Sequence, residues 1–132
     1  MTAFAWYWCA RLNQMNGTTA LGRMIARAGR ARLRPGPYGT ILAEGYRWRF
    51  PVAGAFTVGS VILTRGDIDT VAQTLPEVME HERRHCVQYA VLGLGFLPLY
   101  LVSCGWSWVC FRDVAQGNVF ERWAGLRSGG YE

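Results

Sequence analysis

The chain has only two histidines, His81 and His85, which stand four residues apart with Glu82 directly after the first. With two histidines and six glutamates, chance yields this HExxH order in roughly one sequence in a thousand. Residues four apart on a helix lie about 40° apart around the axis and one turn apart along it, so both imidazoles can address one ion. Zinc suits such a pair and keeps a position open for water in catalytic sites. Glu82 lies about 100° round from His81. That is too far to ligate with ease but well placed to touch the water, so Glu82 is the candidate general base. The plainer alternative is a solvated helix in which Glu80 pairs with Arg83 or Arg84.

Catalytic zinc usually takes three protein ligands, so a carboxylate is needed downstream. Asp113, Glu121 and Glu132 follow the motif. Only Glu121 lies in a plausible amphipathic helix, Asn118 to Ala124, that can hold its side chain in place. The same spacing also suits a capping box in which Glu121 reaches back toward Asn118. Glu77, one turn before His81, and Gln88, just after His85, share the histidine face and could support the ligands from behind, although surface polarity explains both equally well. Arg84 falls beside that face, where it either pairs with Glu80 at i,i+4 spacing or meets a substrate carboxylate. No further histidine is present to stabilise an oxyanion, leaving Tyr46, Tyr89 and Tyr131 as candidates.

These residues need elements to position them. Thr74, Leu75, Pro76 and Glu77 form a capping box with proline in the first turn, predicting a helix from about residue 75 through Ala90. Gly93, Gly95 and Pro98 make its continuation costly. Upstream, the β-branched and aromatic stretch from Ile41 to Thr64, with Tyr46, Trp48 and Phe50 in alternation and then Phe56 and Val58, predicts two or three antiparallel strands. Residues 18 to 34 predict a basic amphipathic helix with Leu21, Met24, Ile25 and Ala28 on one side, stopped by Pro35. The segment 91 to 111 is apolar and uncharged, and two readings stay open for it: a buried core hairpin, or a membrane-associated segment with Trp106 and Trp108 at the headgroup boundary. A short helix is expected from Val119 to Leu126.

At 132 residues, half of them hydrophobic, the chain has one domain's worth of sequence, which excludes a two-domain enzyme. All 14 basic residues are arginine. Residues 1 to 43 hold six of them and no acid, whereas 44 to 132 hold eight arginines and nine acids. The organisation expected is a basic N-terminal helical segment, 1–37, followed by the site-bearing domain, 38–132. Cys9, Cys86, Cys104 and Cys110 make no CxxC pair and read as ordinary buried thiols. The apolar run from Ala3 to Ala10 lacks the flanks of a signal peptide, so a cytoplasmic location is expected, with association to an anionic membrane surface through the N-terminal arginines or the 91–111 segment. No nucleic-acid-binding module accompanies the arginines, and no specific nucleic acid partner is expected.

The sequence resembles the gluzincin type of HExxH zinc metallopeptidases, nearest to short bacterial domains carrying HExxHxxQ, a Leu-Pro-Leu-like apolar segment and a downstream Phe-Glu-x-x-Ala. Here these are His81 to Gln88, Phe96 to Leu101, and Phe120 to Ala124. The resemblance covers about residues 38 to 126. It implies an α+β, minimal zincin-like fold: a small antiparallel sheet, an active-site helix and a short C-terminal helix bearing a ligand. It further implies that His81, His85 and Glu121 bind Zn2+ and that Glu82 activates water to hydrolyse a peptide or protein substrate. The chain departs from the family at Gly125, where an aspartate often orients a histidine, and at the arginine pair Arg83 and Arg84. Those departures favour the alternative, a catalytically inactive zincin-like domain with a structural, partner-binding or membrane-associated role.

Overall fold

The computed structural model describes residues 2–48, 55–74 and 76–125. Helix α1 (Ala3–Met15) is capped by Thr2, whose Oγ1 accepts from the Ala5 amide at 3.2 Å. Helix α2 (Thr18–Ala28) follows after Gly17. The sheet comprises β1 (Arg32–Pro35), β2 (Ile41–Glu44), β3 (Ala55–Val58) and β4 (Val61–Thr64). Then come α3 (Ile68–Thr74), α4 (Pro76–Leu92), α5 (Phe96–Phe111) and α6 (Val119–Ala124). The side chains of Thr74 and Phe50 lie outside the described residues, as does Tyr131.

The class is α+β. The four strands run in the order β1-β2-β4-β3, with β1–β2 and β3–β4 antiparallel and β2–β4 parallel. The sheet is therefore mixed where an antiparallel one was expected. The chain turns back after β3 through Gly59 (φ 65°), so β4 fills the place between β3 and β2 and lies parallel to β2. Successive residues of β4 feed opposite faces, as the strand period requires. Val61 and Leu63 join Ala26, Tyr89 and Phe96, while Ile62 joins Leu42, Ile68 and Cys86.

Two N-terminal expectations change. The predicted helix over 18–34 ends at Ala28, because Gly29 terminates it and Arg30 takes a left-handed φ of 59°. Residues 32–35 instead gain a full strand register against 41–44. Helix α2 also docks through a face rotated from the one predicted. Gly22 and Ala26 lie against the sheet, and a Cβ at Gly22 would sit 2.8 Å from Val61 Cγ2. Small residues allow the close approach; Leu21 and Ile25 stay partly buried against the core at the edge of this face, while Met24 turns outward and is 67% exposed. The division expected at residue 37 falls between the paired strands β1 and β2, so both parts share one sheet. Helix α1 is pinned to α4 by Asn13, whose Nδ2 donates to the Cys86 carbonyl at 2.9 Å.

Helices α4 and α5 form a hairpin. Gly93, with φ of 60°, opens a 3-10 turn (Gly93–Gly95) between them. His85 and Tyr100 have ring centroids 6.2 Å apart, where a continuous helix would separate residues fifteen apart by about 22 Å. The stretch Glu77–Phe111 is long and apolar enough to cross a membrane by length and composition, and little of its apolar part is buried. A hairpin exists, but it is not buried in the core: Phe96 and Ser107 face inward while Leu99, Leu101, Val102, Trp106 and Val109 face outward. All four cysteines are free, and Cys110 is exposed on α5 rather than buried.

Candidate metal centre

Helix α4 presents His81, Glu82, His85 and Gln88 to the interior, and all four are buried. Helix α6 brings Glu121 to them from the far side of the hairpin. The Asn118 Oδ1 accepts from the Phe120 amide at 3.0 Å and caps α6, so Glu121 is not used as a cap. Asn118 also donates through Nδ2 to Cys104 Sγ of α5 at 3.2 Å, which fixes the start of α6 against the hairpin.

Three ligand atoms converge. His81 Nε2 is 2.9 Å from Glu121 Oε2, His85 Nε2 is 3.5 Å from the same oxygen, and the two Nε2 atoms are 3.1 Å apart. A tetrahedral zinc ion with bonds of about 2.0 to 2.1 Å sets its ligands about 3.3 Å apart, close to all three edges. Glu121 Oε2 is buried and, despite its short distance from His81, makes no hydrogen bond of acceptable direction. The two Nε2 atoms lie at hydrogen-bonding distance from each other, and the three candidate ligand atoms all fall within 4.8 Å of one another. The three buried residues form a group that could hold a metal ion.

The remaining atoms of the ligands are occupied. His81 Nδ1 lies 2.9 Å from the Gly125 carbonyl, and His85 Nδ1 lies 2.8 Å from Gln88 Oε1. Each Nδ1 therefore donates, and in the neutral imidazole that tautomer puts the lone pair on Nε2, where a metal can take it in place of the proton shared between the two rings. Gln88 is itself held, donating through Nε2 to the Phe120 carbonyl at 2.8 Å. The Tyr100 hydroxyl donates to Glu121 Oε1, turning Oε2 toward the histidines.

Electrostatics match this packing. Burial works to raise the Glu121 carboxyl, but the adjacent His81 and His85 imidazoles override it and hold the group well below the usual carboxylate range. Burial likewise works to lower His85, and Glu121 reverses it, so the imidazole titrates above its ordinary value. Burial pushes Glu82 upward, with the His85 charge and a Thr57 hydrogen bond opposing. That bond is short: Thr57 Oγ1 donates to Glu82 Oε2 at 2.6 Å, tying α4 to β3.

Glu82, His85 and Glu121 line one cavity of about 310 Å3, whose other walls are mainly apolar and include Ile25, Phe56, Leu97 and Leu101. Glu77 is not part of the site. It is exposed in the first turn of α4, and among the described residues no polar contact joins it to either histidine. Asp113 is used in its own turn, accepting from the Ala115 and Gln116 amides at 2.8 and 3.0 Å, and Glu132 lies outside the described residues. Arg84 donates to the Ala124 carbonyl at 2.7 Å and keeps only a long 3.8 Å approach to Glu80. Glu80 is taken by Arg83 at 2.6 Å.

Of the tyrosines considered for an oxyanion, Tyr46 and Tyr89 are buried core rings, the latter packed 4.2 Å from Phe96. Tyr100 is the hydroxyl that reaches the site. Its signal in the sequence was a single tyrosine within the apolar run 91–111. The Gly125 carbonyl left no signal, since every residue has one. Comparisons with family models, with curated proteins and with solved structures find no match for this chain.

Proposed function

We propose that the protein is a zinc-dependent peptidase built on a minimal zincin-like domain. The observation that carries this reading is the convergence of His81 Nε2, His85 Nε2 and Glu121 Oε2 beside a buried Glu82. Zinc, held by those three residues, supplies Lewis acidity that acidifies water and polarises a carbonyl. Zinc fits better than calcium or magnesium, which prefer all-oxygen ligands. Glu82 is the proton acceptor and later donor: burial raises its pKa, which makes the carboxylate a stronger base than a solvated one. Thr57 keeps that carboxylate in one orientation. Strand β3 ends the sheet and lines the cavity, and among the described residues no strand pairs with its outer edge, so an extended substrate can add there while an apolar side chain enters the cavity.

The test uses the full chain. Purified protein is expected to carry about one zinc per molecule and to hydrolyse an unstructured protein, while Glu82→Gln keeps the metal and loses about 100- to 10,000-fold in rate. A chain that takes up no zinc, or a Glu82→Gln variant as active as the parent, overturns the proposal.

A further inference from the structure

Helix α5 has its polarity inverted. A helix on a water-soluble surface turns its apolar stripe inward and its polar residues outward. In α5 three polar side chains face the protein: the Tyr100 hydroxyl meets Glu121, Cys104 Sγ meets Asn118, and Ser107 Oγ donates to the Asp113 carbonyl and accepts from the Gly117 amide. The outward arc, about 180° wide on the helical wheel, carries Leu99, Leu101, Val102, Trp106, Trp108 and Val109, all exposed. It holds no charged, hydroxyl or amide group. Protein–protein interfaces surround an apolar centre with a polar rim, and this arc lacks such a rim along the whole helix.

We propose that the outer face of α5 sits in the apolar region of an anionic lipid bilayer and brings the mouth of the metal-site cavity to the membrane surface. Charge complementarity selects the bilayer. The first 43 residues carry six arginines and no acid. Arg23 and Arg27 are exposed on α2, and neither forms an ion pair among the described residues. At the end of α5, Arg112 lies 6.0 Å over the Trp108 ring, pairing a cation with an aromatic side chain of the kind that favours the headgroup boundary. The cavity joins this face through Leu101, which both lines the cavity and is exposed on the arc, and Ile25 of α2 forms part of the opposite wall. The substrate that reaches Glu82 by that route is an apolar polypeptide segment held at a membrane. This last clause rests on the peptidase reading; the membrane contact does not.

The experiment floats the zinc-treated full chain with vesicles of phosphatidylcholine containing about 30% phosphatidylglycerol. The parent and Glu82→Gln are expected to float equally. Val102→Asp/Val109→Asp, which alters exposed positions outside the cavity, is expected to lose about tenfold or more in bound fraction with its melting temperature unchanged. In parallel, cleavage of a lipid-anchored apolar peptide on those vesicles is compared with cleavage of the same peptide without its anchor, and the anchored form is expected to be cut about tenfold faster. Failure of the parent to float, equal flotation of the double variant, or a soluble dimer that the double variant converts to monomer without vesicle binding overturns the membrane proposal. Equal cleavage of both peptides overturns its substrate clause. Flotation with no cleavage of either peptide supports the membrane face and overturns the peptidase reading.

Discussion

Helices α4 and α5 are consecutive arms of one hairpin, and they depart from the water-soluble pattern in opposite senses. Helix α4 turns His81, Glu82, His85 and Gln88 inward, where ionisable groups are costly to bury. Helix α5 turns leucine, valine and tryptophan outward, where apolar groups are costly to expose. On α4 the cost is offset within the molecule: Thr57 holds Glu82, the Gly125 carbonyl holds His81, and Gln88 holds His85 while donating to the Phe120 carbonyl. On α5 nothing inside the described residues covers the outward arc. On the proposed reading, an ion would complete one arm and a bilayer the other, and each proposal can be broken separately.

The largest effect is expected from the α4 side. If the triad binds zinc, a ligand present at 1,000 times its dissociation constant stabilises the fold by about 4.1 kcal/mol, read as a rise in melting temperature on adding zinc to chelator-treated protein. Glu121→Ala is expected to abolish that rise and the bound metal together. A Glu121→Ala variant that keeps the full rise removes Glu121 from the ligand set.

Next in size is the support behind the ligands. Gln88→Ala leaves His85 Nδ1 without its acceptor and the Phe120 carbonyl without its donor. Zinc affinity is expected to fall about 10- to 100-fold, measured by competition with a chelating dye. Gly125→Ala has the same expected direction through His81, because residue 125 adopts φ 100°, where a Cβ is strained, and its carbonyl would shift. Glu77→Ala is the control, with no change expected.

These positions also show how far sequence reaches. The HExxH face was legible because helical period alone places two imidazoles together. Glu121 was legible because few carboxylates follow the motif and only one lies on a helix. The Gly125 carbonyl was not, since main-chain groups carry no residue signature, and Tyr100 was hidden in a run whose apolar composition dominates its pattern. In the fold, the start and stop of α4 follow from proline and glycine. The seating of α2 follows only in part: Leu21 and Ile25 of the periodic stripe pack on the core, but Met24 is exposed and the closest approach to the sheet is through the small residues Gly22 and Ala26. The parallel β2–β4 pair depends on where β3 lies, which local propensity does not encode.

A smaller effect concerns pH, and its sign distinguishes the metal-free from the loaded site. Without metal, Glu121 titrates below its ordinary value, so its contribution is present above the normal carboxylate range and is lost as pH falls through the depressed value. His85 titrates above 6.5, so its contribution is full below that pH and is lost as pH rises through the raised value. Glu82, also raised, weakens the metal-free fold in the same upward direction. Metal-free protein is therefore expected to lose stability as pH rises past neutrality. Zinc competes with protons for both imidazoles, so the zinc-dependent rise in melting temperature is expected to grow over that interval. A zinc increment that shrinks as pH rises argues against histidine ligation.

The smallest expected effect is the most discriminating for α5. In water, Val109, 71% exposed, contributes little packing, so Val109→Asp is expected to change unfolding free energy by no more than about 0.5 kcal/mol. The inward Ser107, whose hydroxyl joins the Asp113 carbonyl to the Gly117 amide, is expected to cost about 1 to 3 kcal/mol when replaced by alanine, because both partners lose their bond. Chemical denaturation of the two variants reads the ordering directly. If the outward valine proves the costlier position in a lipid-free monomer, α5 packs against protein on that side and its inverted polarity is an illusion of incomplete contacts. If the serine is costlier, the polar stripe is the one that holds α5 to the domain, and the apolar arc is free to meet another medium.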